Sequence, residues 1–426
     1  MSTTTHEDNN AVGRTDSPVD ALYSIPYIPQ CYDNSCPDES ALRLVQTYAP
    51  EQWKDSNGTI KFKRFTEGIT NTLTKATIEF PGDTASDVEK SAILIRAYGK
   101  GTDVLIDRQR ELNSHTLLAS RGLAPALLAR FENGLMYKFV EGDVCTPEDL
   151  RKPEVYQQVA KHLGEWHGSL PISAISSYPQ MNGKTPGQKS AQATDKQPTP
   201  TPNTWTVVSQ WLEALPTDTP EKTQRRDNLR TEFESIVAKF SDVPGLFGKS
   251  YVFSHCDLLS GNVIVQRPCG APKNSCSHPV AFIDYEYTTP SPAAFDIANH
   301  FAEWAGFECD HAAVPTKSQR RDFLRHYVTS FYDNAISETG NVAMEIDLRA
   351  AIDQLYDQID FFRGVPGFYW GVWALIQAEI SQIDFDYASY AEIRLGEYWS
   401  WKAEVDGSRA EKGEEMPLRE RRWAEE

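Results

Sequence analysis

The feature that most restricts the fold is a polar loop held between two short apolar strands. Tyr251 to Phe253 reads as one strand and Val263 to Val265 as the next, with Ser254-His255-Cys256-Asp257-Leu258-Leu259-Ser260-Gly261-Asn262 between them. A third apolar strand, Val280 to Ile283, ends in Asp284-Tyr285-Glu286. An acid and an amide at this short spacing, backed by a second acid at a strand end, suit an ATP-dependent phosphotransferase. Asp257 would orient an alcohol and take its proton, while Asn262 and Asp284 would hold magnesium against the phosphates. His-x-Asp-x4-Asn alone arises by chance in a chain of 426 residues. The acid placed correctly behind it makes the pattern specific.

Composition narrows the partners. A hydrophobic content of 40% gives a substantial core, and the length suits two or three domains or one large two-lobed enzyme. The net charge of −18 argues against nucleic acid, which needs a basic footprint, and against anionic lipid. The longest apolar run, Gly367 to Ile376, is too short to cross a bilayer, and the polar N-terminus lacks the pattern of a secretory signal. Seven irregularly spaced cysteines suit a reducing compartment, so a cytoplasmic protein is expected. Cys269, Cys276 and His278 make a poor zinc site.

Residues 1–20 read as a disordered tail. Lys61 to Phe65, Lys75 to Phe80 and Ala92 to Tyr98 read as strands, with a turn at Thr66-Glu67-Gly68-Ile69-Thr70-Asn71. Asp107 to Arg121 has helical spacing, and Ala126 to Phe131 with Leu135 to Val140 surround the hairpin signal Asn133-Gly134. A hinge falls near Phe139 to Gly142, and helices dominate after it, at about 153–168, 204–215, 220–241 and over most of 293–404. Two polar stretches, 176–203 and 266–279, read as flexible insertions, and 405–426 as a charged, frayed tail. The expected fold is α+β and bilobal, resembling a protein kinase. A small β-rich nucleotide-binding lobe would span 21–140 and a large helical catalytic and amine-binding lobe 141–404.

His255 to Asn262 resembles the phosphotransferase motif of the choline and ethanolamine kinases, and Phe282-Ile283-Asp284-Tyr285-Glu286-Tyr287 is similar to their second motif. The likeness continues through Phe295-Asp296-Ile297-Ala298-Asn299-His300-Phe301-Ala302-Glu303-Trp304. It also takes in Gly68-Ile69-Thr70-Asn71, Ile95 to Gly99, Trp370 to Gln377 and Ile383 to Tyr387. Within the family, Asp257-Leu258-Leu259, Trp304-Ala305-Gly306 and Ile383-Asp384-Phe385-Asp386 point to the ethanolamine branch. The two insertions depart from the family pattern.

The resemblance implies magnesium-dependent transfer of the ATP γ-phosphoryl to the hydroxyl of ethanolamine, at the start of the CDP-ethanolamine route to phosphatidylethanolamine. Choline, or both amines, is the alternative substrate. A different small-molecule phosphotransferase and a pseudokinase scaffold are more distant readings. By itself Asp257 fits a turn, Asn262 a turn amide, and Asp284 a partner for a nearby base. The combined pattern assigns Asp257 as base and Asn262 with Asp284 as metal ligands. Arg96 and Glu111 resemble the cation–carboxylate pair on ATP phosphates in kinases, with a solvated pair as the alternative for Glu111. Gly68, Thr70 and Asn71 would cover the phosphates, and Phe139 and Val140 would face adenine. The family match puts Glu303 at the ammonium, with Tyr287, Trp370, Trp373 and Tyr390 as walls. Without it, Trp370 and Trp373 read as core aromatics of a helix. His255 and Asp296 are read as braces, Asp296 for its own helix. Glu286 is read as an outer support to the metal or as structural. Oligomeric state is left open.

Overall fold

The computed structural model describes residues 25–48, 53, 57–65, 71–173, 199–266, 278–339 and 347–426. The tail at 1–20, the Gly68 and Thr70 positions and most of the two insertions lie outside the described residues. The part of the first insertion that is described, 199–203, is built into the protein: Asn203 is buried and caps the following helix in reciprocal hydrogen bonds with Thr206.

The N-terminal region, up to Lys138, is built on a six-stranded sheet. In chain order its strands are β1 (Tyr27–Ile28), β2 (Thr59–Phe65), β3 (Asn71–Glu79), β4 (Ile93–Tyr98), β5 (Leu127–Phe131) and β6 (Gly134–Lys138), arranged β1-β5-β6-β4-β3-β2. Only β1, against β5, pairs in parallel. Alternation gives the sheet two faces. Ala76, Ile78, Ile93, Ile95, Ala97 and Met136 bury one face against α1 (Pro37–Tyr48) through Ala41, Leu44 and Val45. The other face carries Arg96, opposite Leu73 and Leu135, and turns toward α3 (Arg108–Ser120), which follows the short α2 (Ala85–Ser91). Asp107 caps α3 by accepting from the amides of Gln109 and Arg110.

The sequence reading placed no element before residue 60, so β1 and α1 are additions. A two-residue strand has no alternation to detect, and three apolar positions amid acids make a weak helical stripe. The hairpin at Asn133-Gly134 is present, for a different reason than turn chemistry. A Cβ on Gly134 would sit 2.1 Å from the Arg96 carbonyl oxygen, so glycine is needed for β6 to approach β4. Asn133 exchanges side-chain hydrogen bonds with the backbone of Tyr32, pinning β1 to the hairpin.

After β7 (Asp143–Val144) and α4 (Pro147–Leu150) the structure is mostly helical. Helix α5 (Pro153–Ser169) runs against α9 (Lys317–Thr339), and a Cβ at Gly164 would come within 2.4 Å of the Tyr327 carbonyl. Helices α6 (Thr204–Ala214) and α7 (Pro220–Phe240) precede the short strands β8 (Val252–Ser254), β9 (Val263–Val265), β10 (Val280–Phe282) and β11 (Thr289–Ser291). Then come α8 (Ala293–Ala302), α10 (Leu348–Phe362), α11 (Val365–Ile380) and α12 (Tyr387–Val405). One continuous apolar core joins them around Trp166, Trp211, Trp304, Phe295 and Phe301. The fold is that of a protein kinase: a β-rich sheet region followed by a mostly helical one. No described helix is long and apolar enough to cross a membrane.

The C-terminal residues correct an expectation. Instead of fraying, they form α13 (Ser408–Glu411) and α14 (Leu418–Ala424). Trp423 is 4% exposed, under the Arg320 guanidinium at 3.9 Å, and its carbonyl accepts from Arg320 Nη1 at 2.9 Å. Glu420 accepts from Arg363 Nε at 2.9 Å, and Arg419 donates to the Arg363 carbonyl at 2.6 Å. Two of the charges that suggested a solvated tail, Arg419 and Glu420, are buried in pairs, and one tryptophan supplies the anchor. Trp423→Ala is expected to cost about 3–5 kcal/mol of unfolding free energy, as for other large-to-small core changes, readable by denaturant titration.

Candidate active site

The predicted catalytic residues converge on a backbone crossing. Asn262 Nδ2 donates to the Asp257 carbonyl at 2.8 Å and to its carboxylate Oδ2 at 3.0 Å. The Asn262 carbonyl accepts from the Ile283 amide at 3.0 Å, which brings Asp284 alongside. The carbonyl of the same residue, Ile283, accepts from His255 Nε2 at 3.1 Å. His255 is fully buried, and burial drives its pKa down to about 4, so the ring is neutral and Nε2 carries the proton. It is a brace, as read.

The loop is fixed from below by α8. Asp296 accepts from the amides of His255 and Cys256 at 3.0 and 2.8 Å. Asn299 donates to the Cys256 carbonyl at 2.8 Å, and His300 Nδ1 to the Leu258 carbonyl at 2.7 Å. These three residues lie at i, i+3 and i+4, one face of a helix whose every residue is buried. Asp296 therefore braces the catalytic loop, a correction to its reading as a brace for its own helix. Burial alone would raise its pKa, but His167, at 3.0 Å from Oδ2, and the loop amides outweigh burial and lower it. Two non-glycine residues here adopt left-handed backbone, Cys256 at φ 64° and Asp284 at φ 65°. Such conformations cost of order 1–3 kcal/mol each and persist only where surroundings impose them.

The carboxylates are crowded, and Asp257, Glu286 and Glu303 are buried while the Asp284 side chain keeps 27% of its surface exposed around a buried Oδ1. Burial raises the Asp257 pKa well above its ordinary value, and Asp284, Glu303 and Glu286 add to the rise while the Asn262 hydrogen bond opposes it. Asp284 is pushed up to about 7, by burial first, with Arg96 opposing and Glu286 and Glu111 reinforcing. Its Oδ1 is buried 2.7 Å from Arg96 Nη2, with no donor hydrogen aimed at it. Asn262 commits its nitrogen to Asp257, which leaves its carbonyl oxygen for a cation. Among the described residues no trio of His, Cys, Asp or Glu forms a ready-made metal site. One carboxylate and one amide oxygen do fit magnesium, which usually completes its shell with phosphate and water.

Arg96 lies 3.1 Å from Glu111, 2.7 Å from Asp284 and 2.5 Å from Glu286. Glu111 is 1% exposed, so its alternative reading as a solvated pair is overturned. Glu286 bonds Arg96, Arg108 and the Asn71 amide. Phe139 stacks on Phe65 at 6.3 Å, with the Lys75 ammonium 4.0 Å above its ring, and Val140 beside it is half-buried.

The aromatic residues gather beside the loop. Trp373 Nε1 donates to the Tyr287 hydroxyl at 2.8 Å, and Trp370 makes edge-to-face contacts with both Tyr287 and Trp373. Trp370 Nε1 donates to Asn299 at 2.7 Å, so this wall is fastened to the residue that holds Cys256. Glu303 accepts from Arg394 Nη2 at 3.0 Å, and Tyr390 lies under that guanidinium at 5.7 Å. Arg394 also pairs with Glu397, whose other oxygen meets His311 at 2.7 Å. Against the pull of burial, Arg394 and His311 bring Glu397 down to about 2, whereas burial keeps Glu303 raised in spite of the same guanidinium. Arg108, Asn299, Arg394 and Glu397 were missed by the sequence reading. Arg394 and Glu397, at i and i+3 on a helix carrying Tyr390, were the detectable signal.

This sheet-and-helix fold, with an acid–amide loop crossing a second acid, is that of a kinase-like phosphotransferase. The chain belongs to the choline/ethanolamine kinase family, whose pattern matches residues 62–399. It is 31% identical over 373 residues to human ethanolamine kinase 1, across 86% of this chain and 72% of that protein. It is 30% identical over 383 residues to a probable ethanolamine kinase of Nematostella vectensis, across 88% and 96%. Among solved structures, an ethanolamine kinase from Plasmodium vivax superimposes with a TM-score of 0.62 at 24% identity, covering 92% of this chain and 97% of that one. A choline kinase from Cryptosporidium parvum gives 0.58 at 21%, covering 87% and 97%. These two likenesses speak to the fold.

Asp296→Ala removes the acceptor for two buried amides and leaves His167 without its carboxylate. The expected loss is about 3–5 kcal/mol of stability in denaturant unfolding, with catalytic turnover falling in parallel. A loss under about 1 kcal/mol would mean that apolar packing, not this carboxylate, sets the loop.

Proposed function

We propose that the protein is an ethanolamine kinase, transferring the γ-phosphoryl of ATP to the hydroxyl of ethanolamine to give phosphoethanolamine and ADP. The observation that carries this reading is the Asp257–Asn262 pair joined through the Ile283 peptide to Asp284, in a chain of this family. Relatives named ethanolamine kinases along most of the chain support ethanolamine over choline. The reaction would open the CDP-ethanolamine route to phosphatidylethanolamine, and the irregular cysteine pattern supports a cytoplasmic setting.

In this reading ATP lies between the sheet and the helical region, with adenine near Phe139 and Val140 and the phosphates near Arg96 and Asn71. Asn262 and Asp284 would hold a magnesium ion, which neutralises phosphate charge when bound. Asp257 accepts the proton of the substrate hydroxyl as its oxygen attacks in line. Asn262 fixes the direction of that carboxylate by donating to Oδ2. Glu303, only partly neutralised by Arg394, receives the ammonium, and Tyr287, Trp370, Trp373 and Tyr390 wall it. A site that hydrogen-bonds N–H groups leaves its acceptors unpaired against a trimethylated amine, which favours ethanolamine.

Asp257→Ala is expected to lower kcat by about a thousandfold or more with folding intact, because base and orientation fail together. Retention of wild-type turnover would remove the assignment. In parallel titrations with MgATP, kcat/KM for ethanolamine is expected to exceed that for choline by about tenfold or more, and EDTA to abolish turnover until magnesium is restored. A preference for choline would reassign the amine.

A further inference from the structure

The proposed phosphate clamp holds more acid than one arginine can serve. Arg96 touches three carboxylates, those of Glu111, Asp284 and Glu286. Each of its two terminal nitrogens is already engaged with an acid, and the phosphates and the metal would compete for Arg96 and Asp284 respectively. Side chains of Glu111 and Glu286 are only 1% and 2% exposed. Turning Arg96 toward phosphate takes positive charge away from two buried anions, where an imperfectly compensated charge costs several kcal/mol.

Arg108 supplies that charge from another direction. Its Nη1 lies 3.0 Å from Glu111 Oε2 and 3.2 Å from Glu286 Oε2, bridging the same two acids. Its Nη2 donates to the Thr102 hydroxyl at 2.5 Å and reaches the Asn71 carbonyl oxygen at 3.5 Å. Its guanidinium lies on the face of Tyr98 at 4.1 Å. Arg108 sits in the first turn of α3, three residues before Glu111, so both are carried by one rigid element. A planar fork held by a hydroxyl, a ring face and two carboxylates is a fixed cation, unlike a solvated side chain.

We propose that Arg108 is a positioning residue for nucleotide: it keeps Glu111 and Glu286 in place and partly neutralised so that Arg96 can turn to the phosphates. This rests on the kinase reading above. Arg108 and the two acids then stay bridged when Arg96 turns away, and Asp284 is freed at the same moment.

The test is a double-mutant cycle on ATP binding by isothermal titration calorimetry, run in EDTA and in magnesium, with Arg108→Met, Arg108→Lys, Glu286→Gln and the double variant R108M/E286Q. Thermal unfolding of each variant accompanies it. Arg108→Met is expected to weaken ATP by about tenfold, Arg108→Lys by less, and the KM for ethanolamine to stay within about twofold. In the Glu286→Gln background, where one acid no longer needs a cation, the Arg108→Met loss is expected to shrink to about threefold or less. ATP affinity within twofold of wild type in Arg108→Met, or an equal loss in both backgrounds, overturns the proposal. If Arg108→Met does not fold, Arg108→Lys with and without Glu286→Gln carries the same comparison. Wild-type protein that binds no ATP would remove the kinase reading itself, whereas wild-type binding with an additive cycle removes only the role of Arg108.

Discussion

The catalytic loop is irregular backbone in a dry interior, and what makes that affordable is the polar stripe of α8. Buried amides and carbonyls must find partners, and a loop has no ladder to provide them. Asp296, Asn299 and His300 supply them to three neighbouring residues of the loop. Because all three stand on one helical face, the loop inherits the stiffness of a helix. The left-handed conformation at Cys256 follows from this: its amide and carbonyl are both claimed by α8, so the backbone between them has little freedom to relax. Asn299 extends the same frame to the aromatic wall through Trp370.

A second constraint is electrostatic. In a chain with a net charge of −18, Asp257, Asp284, Glu286, Glu111 and Glu303 still lie close enough together to raise the pKa values of Asp257 and Asp284. Without ligands, Arg96, Arg108 and Arg394 hold these acids in check, and the arginines divide the work by location. Arg96 and Arg108 attend the acids beneath the sheet, and Arg394 attends Glu303 among the aromatics. Each cation is itself buried or nearly so, so none can be lost to solvent when a substrate arrives.

The sequence was most legible where chemistry and spacing coincide. Asp257, Asn262 and Asp284 could be grouped because strands of three or four apolar residues bracket them, leaving the polar residues only one place to go. Arg96 and Glu111 met as expected because a strand and the next helix in sequence are spatial neighbours. Asp296 was visible as important, yet its partners were not, since a hydrogen bond to another segment's backbone leaves no trace in residue type. Arg108 was hidden for a related reason: arginine in a first helical turn reads as surface. The early helix and the C-terminal helix were missed because each relies on a few apolar anchors within charged sequence. Average composition there describes the exposed side, and burial is decided by the exceptions.

The docking of α14 bears on how the chain reaches its native state. Trp423 and Glu420 close the core over Arg320 and Arg363, residues placed about a hundred and about sixty positions earlier. During synthesis those two guanidinium groups lack their α14 partners until the chain as far as Trp423 has left the ribosome. The helical half therefore has a built-in reason to mature last and as a unit. A ribosome that stops a few codons short of Trp423 would release a chain with a sound sheet and an unfinished interior, the kind of product that quality-control proteases remove.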